Sequence, residues 1–510
     1  METKMNKGIT RRALLSGATV AGATLAMAAA PGVASADETI DHADETMDAD
    51  IVIVGSGCGM CAAVEAAEAG VKTVLIESAD KVGGNFNYTI GVMGVNSSFV
   101  KEEDRCDPME IVRTELRNAQ YSVDSRKWID LVDASAANID WLVDHGCEFD
   151  YPVRYWSDEA PCVYHQWASG FAPMHALLPA AEEAGAQILL NTTGKQLITD
   201  AEGAVTGIYA ERADGSILQI NCKAVILATG GWLDNEEWMS TFAKGKHYYV
   251  RGVGGRNGDG INMATAVGAR STARQNHIMG WASVNVEHDM AWYNACFLYT
   301  FGKSLWLNQD GFRFTNEGMA MEISSGPMIH ALVSQADSFV LCDSAIAAAL
   351  PGDLNPETSV KDMLDGAVED GEEHVWRADT FEELFEKAGV ADPQAFLDSV
   401  NAYNEACDNG ADADFGKRSD LMVKLATPPF YMAENTMYVS TTLGNIDYDR
   451  HMRVIDNESN PIKGLYVAGT DGAQLYKGFY SLETAGGSCN ANNVNSARVA
   501  AQTAIEDFAL

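Results

Sequence analysis

Residues 50–77 read D-I-V-I-V-G-S-G-C-G-M-C-A-A-V-E-A-A-E-A-G-V-K-T-V-L-I-E, and no other stretch restricts the fold as much. Ile51 to Val54 is a short, apolar, β-branched run of the kind buried in a parallel sheet. Gly55-Ser56-Gly57 follows at once. Cys61 to Ala69 then has helical character, Gly70 ends it, and Val71 to Ile76 is a second apolar strand closed by Glu77. Strand, glycine turn, helix, strand and terminal acid make a βαβ unit suited to a dinucleotide. The turn from Gly55 through Ser56, Gly57 and Cys58 to Gly59 lets backbone approach a pyrophosphate. The helix start offers it free N–H groups and a positive dipole. Glu77 is placed to take both hydroxyls of an adenosine ribose. Met60 stands where a third glycine normally permits close packing, so this helix is expected slightly further from its strand.

The rest of the chain has the same alternating character. Lys81-Val-Gly83-Gly84-Asn85 offers a second close approach to phosphate or ribityl, or a simple turn. Asp107 to Gly146 has helical spacing, with Trp128, Leu131, Val132, Ala136, Ile139 and Leu142 on one face. Residues 150–179 are irregular and rich in aromatics, and 186–221 suggest a meander. Ala224 to Leu227 is another buried strand leading into Ala228-Thr229-Gly230-Gly231, and Asn257-Gly-Asp259-Gly opens a helix. Residues 275–437 differ in character, and Pro428-Pro429 marks a boundary near their end. Gly464 to Gly469 returns to the buried-strand pattern, and Gly486-Gly487-Ser488 leads a last helix, residues 490–508.

The formal charge of −37 argues against nucleic acid or an anionic membrane surface as partner. It leaves open a solvated acidic surface or a docking face for a basic partner. Residues 1–36 hold four basic residues and one acid, so the acidity lies beyond them. Thr10-Arg11-Arg12 resembles a twin-arginine signal, followed by a weakly apolar stretch and an Ala34-Ser35-Ala36 cleavage pattern. That resemblance implies export of the folded, cofactor-loaded protein. Residues 37–48 read as a mobile leader. No apolar run beyond residue 36 approaches the length of a membrane span. Ten scattered cysteines include one C-x-x-C, Cys58 to Cys61, either a redox pair or apolar filler. There is no haem motif and no metal ligand set.

With these pieces in this order, residues 48–510 resemble the FAD-binding family of soluble fumarate reductase flavoproteins, which also holds urocanate reductases and 3-ketosteroid dehydrogenases. The matching motifs are G-S-G at 55–57, Glu77, G-G-N at 83–85, A-T-G-G at 228–231, G-D-G at 258–260 and G-L-Y-V-A-G at 464–469. The resemblance implies an α/β fold. A discontinuous Rossmann-like FAD-binding domain (49–276 and 437–510) would carry an inserted α+β capping domain (277–436). It implies non-covalent FAD, with Thr229, Gly230, Asp259 and Gly469 in the nucleotide site and Asp471 near the ribityl chain. Gly486, Gly487 and Ser488 would set a helix N-terminus against the flavin.

The family's substrate residues match less well. His277 and Glu317 survive, as a site histidine or a core one, and as a site carboxylate or a partner of Arg313. The family's arginines are missing after Glu317 and after Ser344, where Ala345-Ile346-Ala347 stands, and Thr484 replaces another. Thr441 lies in a segment without histidine. A dicarboxylate would lose its charge partners, so fumarate is not expected. Tyr480, or Tyr476, becomes the candidate proton donor or carbonyl anchor. The expected activity is reduction of a polarised C=C bond in an apolar or weakly anionic enone or enoate. Electrons would come from an external donor such as a membrane-tethered cytochrome. The alternatives are a desaturating dehydrogenase of a steroid-like ketone and a flavin electron-transfer protein without substrate chemistry.

Overall fold

The computed structural model describes residues 39–154, 160–168, 171–275, 278–286, 297–300, 302–322, 327–351, 358–476 and 480–510. Residues 42–510 form one compact unit. Its centre is a six-stranded sheet in the order 453–455, 461–467, 224–227, 51–54, 73–76, 187–189, parallel except at the first pair. Ile51–Val54 is flanked in register by Ala224–Leu227 and Thr73–Ile76, and every residue of the three is buried. Burial on both faces explains why these runs are continuously apolar instead of alternating.

Two helices cover this sheet beside the glycine turn, Gly59–Glu68 and the 21-residue Ser488–Phe508. Their facing residues are small: Ala62, Ala63 and Ala66 on one, Ala497, Ala500, Ala501 and Ala504 on the other, all fully buried. The expected loosening at Met60 does not follow, because the close approach falls one position earlier. A Cβ on Gly59 would sit 2.8 Å from the Ile53 side chain.

The meander forms a four-stranded sheet, 192–199, 205–212 and 217–221, completed by Glu45–Asp48. The end of the expected leader is therefore a strand. It satisfies the open edge of Ile217–Asn221, and Glu45 pairs with Arg212 at 2.6 Å. The helical stretch after Asp107 is two helices, Pro108–Asn118 and Ser125–Asp144, capped by the side chains of Asp107 and Asp124. Gln120 and Tyr121 between them take left-handed φ values that a helix excludes.

A second large sheet is organised by the 13-residue strand Phe430–Thr442. Ser338–Asp343, Val375–Ala378, Ile278–Val284 and Tyr248–Val250 all pair with it, and Leu305–Asn308 extends it. The boundary expected at 436/437 falls inside this strand, and Tyr248–Val250 enters the sheet from outside the expected cap. This mixed α/β architecture, a Rossmann-like sheet with an α+β insert, is the expected fold class. Among the described residues no helix is long and apolar enough to cross a membrane.

Candidate active site

The glycine turn is held by a short chain of hydrogen bonds. Gly55 has φ +98°, and a Cβ there would run into the Ala228 backbone, so only glycine fits. Ser56 is buried, and its N–H and O–H both donate to Glu77 Oε2 at 2.9 and 2.5 Å. The Ser56 hydroxyl accepts the Gly83 N–H at 2.8 Å, and Glu77 Oε1 accepts the Ala79 N–H at 2.9 Å. Thus Glu77, the first turn and the G-G-N turn are one rigid assembly. No side chain caps helix 59–68 and no acid lies in its first turn, so the positive end of its dipole is open to an anion.

One cavity is lined by Glu77 and Gly194, by Gly55 to Cys58, by Thr229 and Gly230, and by Gly84, Asn85, Gly91, Gly487 and Asn490. Asp259, at the start of helix Asp259–Ala266, is also on its wall. Its surface fits a dinucleotide. Gly57 and Gly84 leave open space where a side chain would intrude. Asn493, on the wall, has a buried Oδ1 with no hydrogen-bond partner. Gly487 has φ +78°, and a Cβ on it would sit 2.7 Å from Met93 N, so the last helix starts hard against the strand Gly91–Met93.

Other residues expected at the cofactor lie behind the wall. Gly59 packs on Ile53. Gly83 has no room for a Cβ beside Asn87 and Met174, and Gly469 has none beside Cys58. Gly486 and Ser488 are buried off the cavity. Asp471 is fully buried and accepts from Thr229 N at 2.6 Å, Thr229 Oγ1 at 2.9 Å and Gly231 N at 2.9 Å. It pins the Ala228–Gly231 turn and does not face the cavity where the ribityl chain was expected. Burial raises its carboxyl above the usual range against these hydrogen bonds. Burial also pushes the Cys58 and Cys61 thiols far up, so neither is poised as a thiolate, and the apolar-filler reading fits their surroundings.

Tyr480 is also on the cavity wall, 5% exposed. Tyr476 is fully buried behind it, ring centroids 5.2 Å apart, and its phenol donates to Ser488 Oγ at 3.2 Å. His277 lies outside the described residues. Glu317 is not on the cavity wall. It takes a bidentate bond from Arg313 at 2.8 and 2.9 Å and lies 3.5 Å from the buried Lys417, with Asp412 on the other side of Arg313. That placement matches a structural partner of Arg313, and the candidate catalytic carboxylate is removed from the site by this geometry.

Sequence analysis missed Tyr164 and Trp281, which line the cavity with Tyr480, Met279, Ser440 and Thr441. Tyr164 lies in the strand Cys162–Gln166, whose C-V-Y-H run inside an aromatic-rich segment is the available signal. Trp281 lies in the wholly buried strand Ile278–Val284. Among the described residues the basic groups on the wall are Arg251 and Arg256. Arg256 is committed to Asp234, Nε to Oδ2 at 2.9 Å and Nη2 to Oδ1 at 3.3 Å.

The sequence model of the family described as FAD binding domain matches residues 50–486. A vinyl phenol reductase of Lactiplantibacillus plantarum is 32% identical over 482 residues, covering 89% of this chain and 96% of that one. A urocanate reductase of Eggerthella lenta is 25% identical, covering 83% and 70%. The solved 3-ketosteroid delta1-dehydrogenase of Sterolibacterium denitrificans shares the fold at a TM-score of 0.71 and 18% identity, covering 90% of this chain and all of that one. The chain belongs to this FAD-binding family, which includes fumarate and urocanate reductases and ketosteroid dehydrogenases, and is an oxidoreductase acting on CH–CH bonds with non-covalent FAD.

Proposed function

We propose that the protein reduces the polarised C=C bond of a neutral, apolar, conjugated acceptor, a vinyl-substituted phenol or a close electronic relative, and not fumarate. The observation that carries this reading is the chemistry of the cavity wall that Tyr480 shares. Tyr164, Met279, Trp281, Ser440 and Thr441 offer rings, a thioether and hydroxyls, and the nearby Arg256 is already neutralised by Asp234. Arg251 is the other basic group of the described residues on this wall, so the second carboxylate of a dicarboxylate would be desolvated without a cation of its own, at a cost of several kcal/mol. Aromatic walls suit a flat conjugated substrate. The relative with 32% identity, named for a vinyl phenol, agrees with this choice. Ile346, where the family's proton-donating arginine is expected, is buried in the short helix Ser344–Ala349 away from the cavity wall.

When bound, FAD supplies the hydride chemistry. The chain's own part is to orient the alkene and deliver a proton. Tyr480 presents a phenol to the cavity and is the donor in this reading. Its flanking wall keeps the reacting carbon away from bulk water.

Steady-state turnover with a reduced viologen as electron source tests the substrate class. The value of kcat/KM for 4-vinylphenol is expected to exceed that for fumarate by about 10³ or more, the scale set by an unpaired buried charge. Comparable values for the two would overturn the reading.

Export is part of the same proposal, because the twin-arginine pattern at residues 11–12 lies outside the described residues. Arg11→Lys together with Arg12→Lys is expected to leave FAD-loaded precursor in the cytoplasm on cell fractionation. Undiminished export of that variant would refute the route. The electrons for reduction then come from an external donor on the same side of the membrane.

A further inference from the structure

Two stretches distant in sequence both line the cofactor cavity and are bonded to each other: the G-G-N turn with Tyr88, and residues 251–255. The second stretch reads R-G-V-G-G. Both its ends are held firmly. Before it, Tyr248–Val250 pairs in register with Met437 to Val439, and the Arg251 N–H donates to Val439 O at 2.8 Å. After it, Arg256 is buried and bonded to Asp234 Oδ2 through its Nε and its backbone N–H, each at 2.9 Å. Between these anchors residues 252–255 are exposed and line the cavity. A Cβ added to Gly254 or Gly255 would meet nothing within 4 Å. Among the described residues, a single hydrogen bond ties the span down: the Val253 N–H donates to Asn85 Oδ1 at 2.8 Å. Gly252 is what lets this bond form. Its φ is +103°, and a Cβ on it would overlap the Asn85 amide oxygen. A backbone N–H can only donate, so the bond also fixes the Asn85 amide with its oxygen toward the span. Arg251 Nη2 adds a longer contact, 3.5 Å from Tyr88 O.

We propose that residues 252–255 form a strap over bound FAD, latched to the G-G-N turn by the Val253–Asn85 bond, and that opening of this latch gates entry and release of the cofactor. The physical argument is one of local stability. A four-residue span with three glycines and one hydrogen bond opens at far lower cost than the sheet strand and the ion pair that hold its ends. The ends therefore stay in place while the span moves. The latch joins two protein groups and includes no FAD atom. Its loss lowers a barrier common to entry and release and leaves the balance between them nearly unchanged. The inference depends on the FAD site and not on the identity of the substrate.

Val253→Pro removes the donor N–H, and Gly252→Ala pushes the Asn85 amide aside. Each is expected to speed FAD release about 3–10-fold, the rate equivalent of one hydrogen bond. Release is measured as loss of radiolabelled FAD from the holoprotein during a chase with excess unlabelled FAD. Rebinding to FAD-stripped protein, followed by quenching of FAD fluorescence, should quicken by a similar factor, so that Kd stays near wild type. Gly254→Ala should release FAD at the wild-type rate, since its methyl meets nothing. In an Asn85→Ala background the acceptor is already gone, and Val253→Pro should add nothing. Wild-type release in both Val253→Pro and Gly252→Ala would overturn the inference. Faster release with unchanged rebinding would overturn it too, because the span would then be a direct FAD contact and not a latch. Equal acceleration by Gly254→Ala would also overturn it, by reducing the effect to a general disturbance of the loop.

Discussion

Tyr480→Phe is expected to slow substrate-dependent reoxidation of the reduced protein by about 10²–10⁴, the usual worth of a positioned acid. The substitution keeps the ring against Tyr476, 5.2 Å away, and removes only the hydroxyl. FAD retention and thermal stability should therefore remain near wild type. Stopped-flow absorbance at the flavin band gives the rate directly. A Tyr480→Phe protein reoxidising at the wild-type rate would move the role elsewhere on the wall, with Tyr164 the next phenol to test.

The second large effect concerns stability. Glu317→Ala is expected to cost about 3–5 kcal/mol, because it leaves Arg313 and Lys417 buried around a missing carboxylate. Denaturant unfolding measures the cost. Turnover of the folded fraction should change less than about twofold, since Glu317 lies off the cavity and the effect is on folding, not on the barrier. A hundredfold loss of kcat at unchanged stability would restore a catalytic role. The same cluster predicts an acid limb. Burial acts upward on Asp412, but the Arg313 hydrogen bond and the Lys417 N–H outweigh it and bring the carboxyl down to about 2. An unfolded aspartate titrates near about 3.9. The stability Asp412 contributes is thus present above that value and lost as the pH falls toward 2.

Local pattern carried much of this fold. Strand 51–54, the glycine turn and Glu77 are neighbours in sequence or one βαβ unit apart, so their spacing encodes their geometry. The motifs at 228–231 and 258–260 reach the same cavity through Thr229, Gly230 and Asp259, a long-range meeting that the family resemblance, not spacing, led one to expect. What spacing left hidden is long-range. The edge that Glu45–Asp48 fills is made by residues about 170 positions later. Glu317 owes its place to Asp412 and Lys417, roughly a hundred residues on. Asp471 looks like a ligand residue in sequence, yet its carboxylate is consumed by the Thr229–Gly231 backbone. Tyr164 joins the cavity wall by packing against Gly91 and Gly487, and an aromatic-rich run was the only local cue to it. The glycine at 59 stood beside the expected third glycine, and only the Ile53 contact shows that it does the same work.

The central claim is that this cavity saturates a neutral conjugated alkene. Its most direct test is a single-turnover experiment under anaerobic conditions, mixing stoichiometrically reduced, FAD-loaded protein with 4-vinylphenol and, separately, with fumarate. The expected result is rapid flavin reoxidation by the first, with one equivalent of saturated product per flavin, and negligible reoxidation by the second. Reoxidation by fumarate at a matching or higher rate, with succinate formed, would contradict the account.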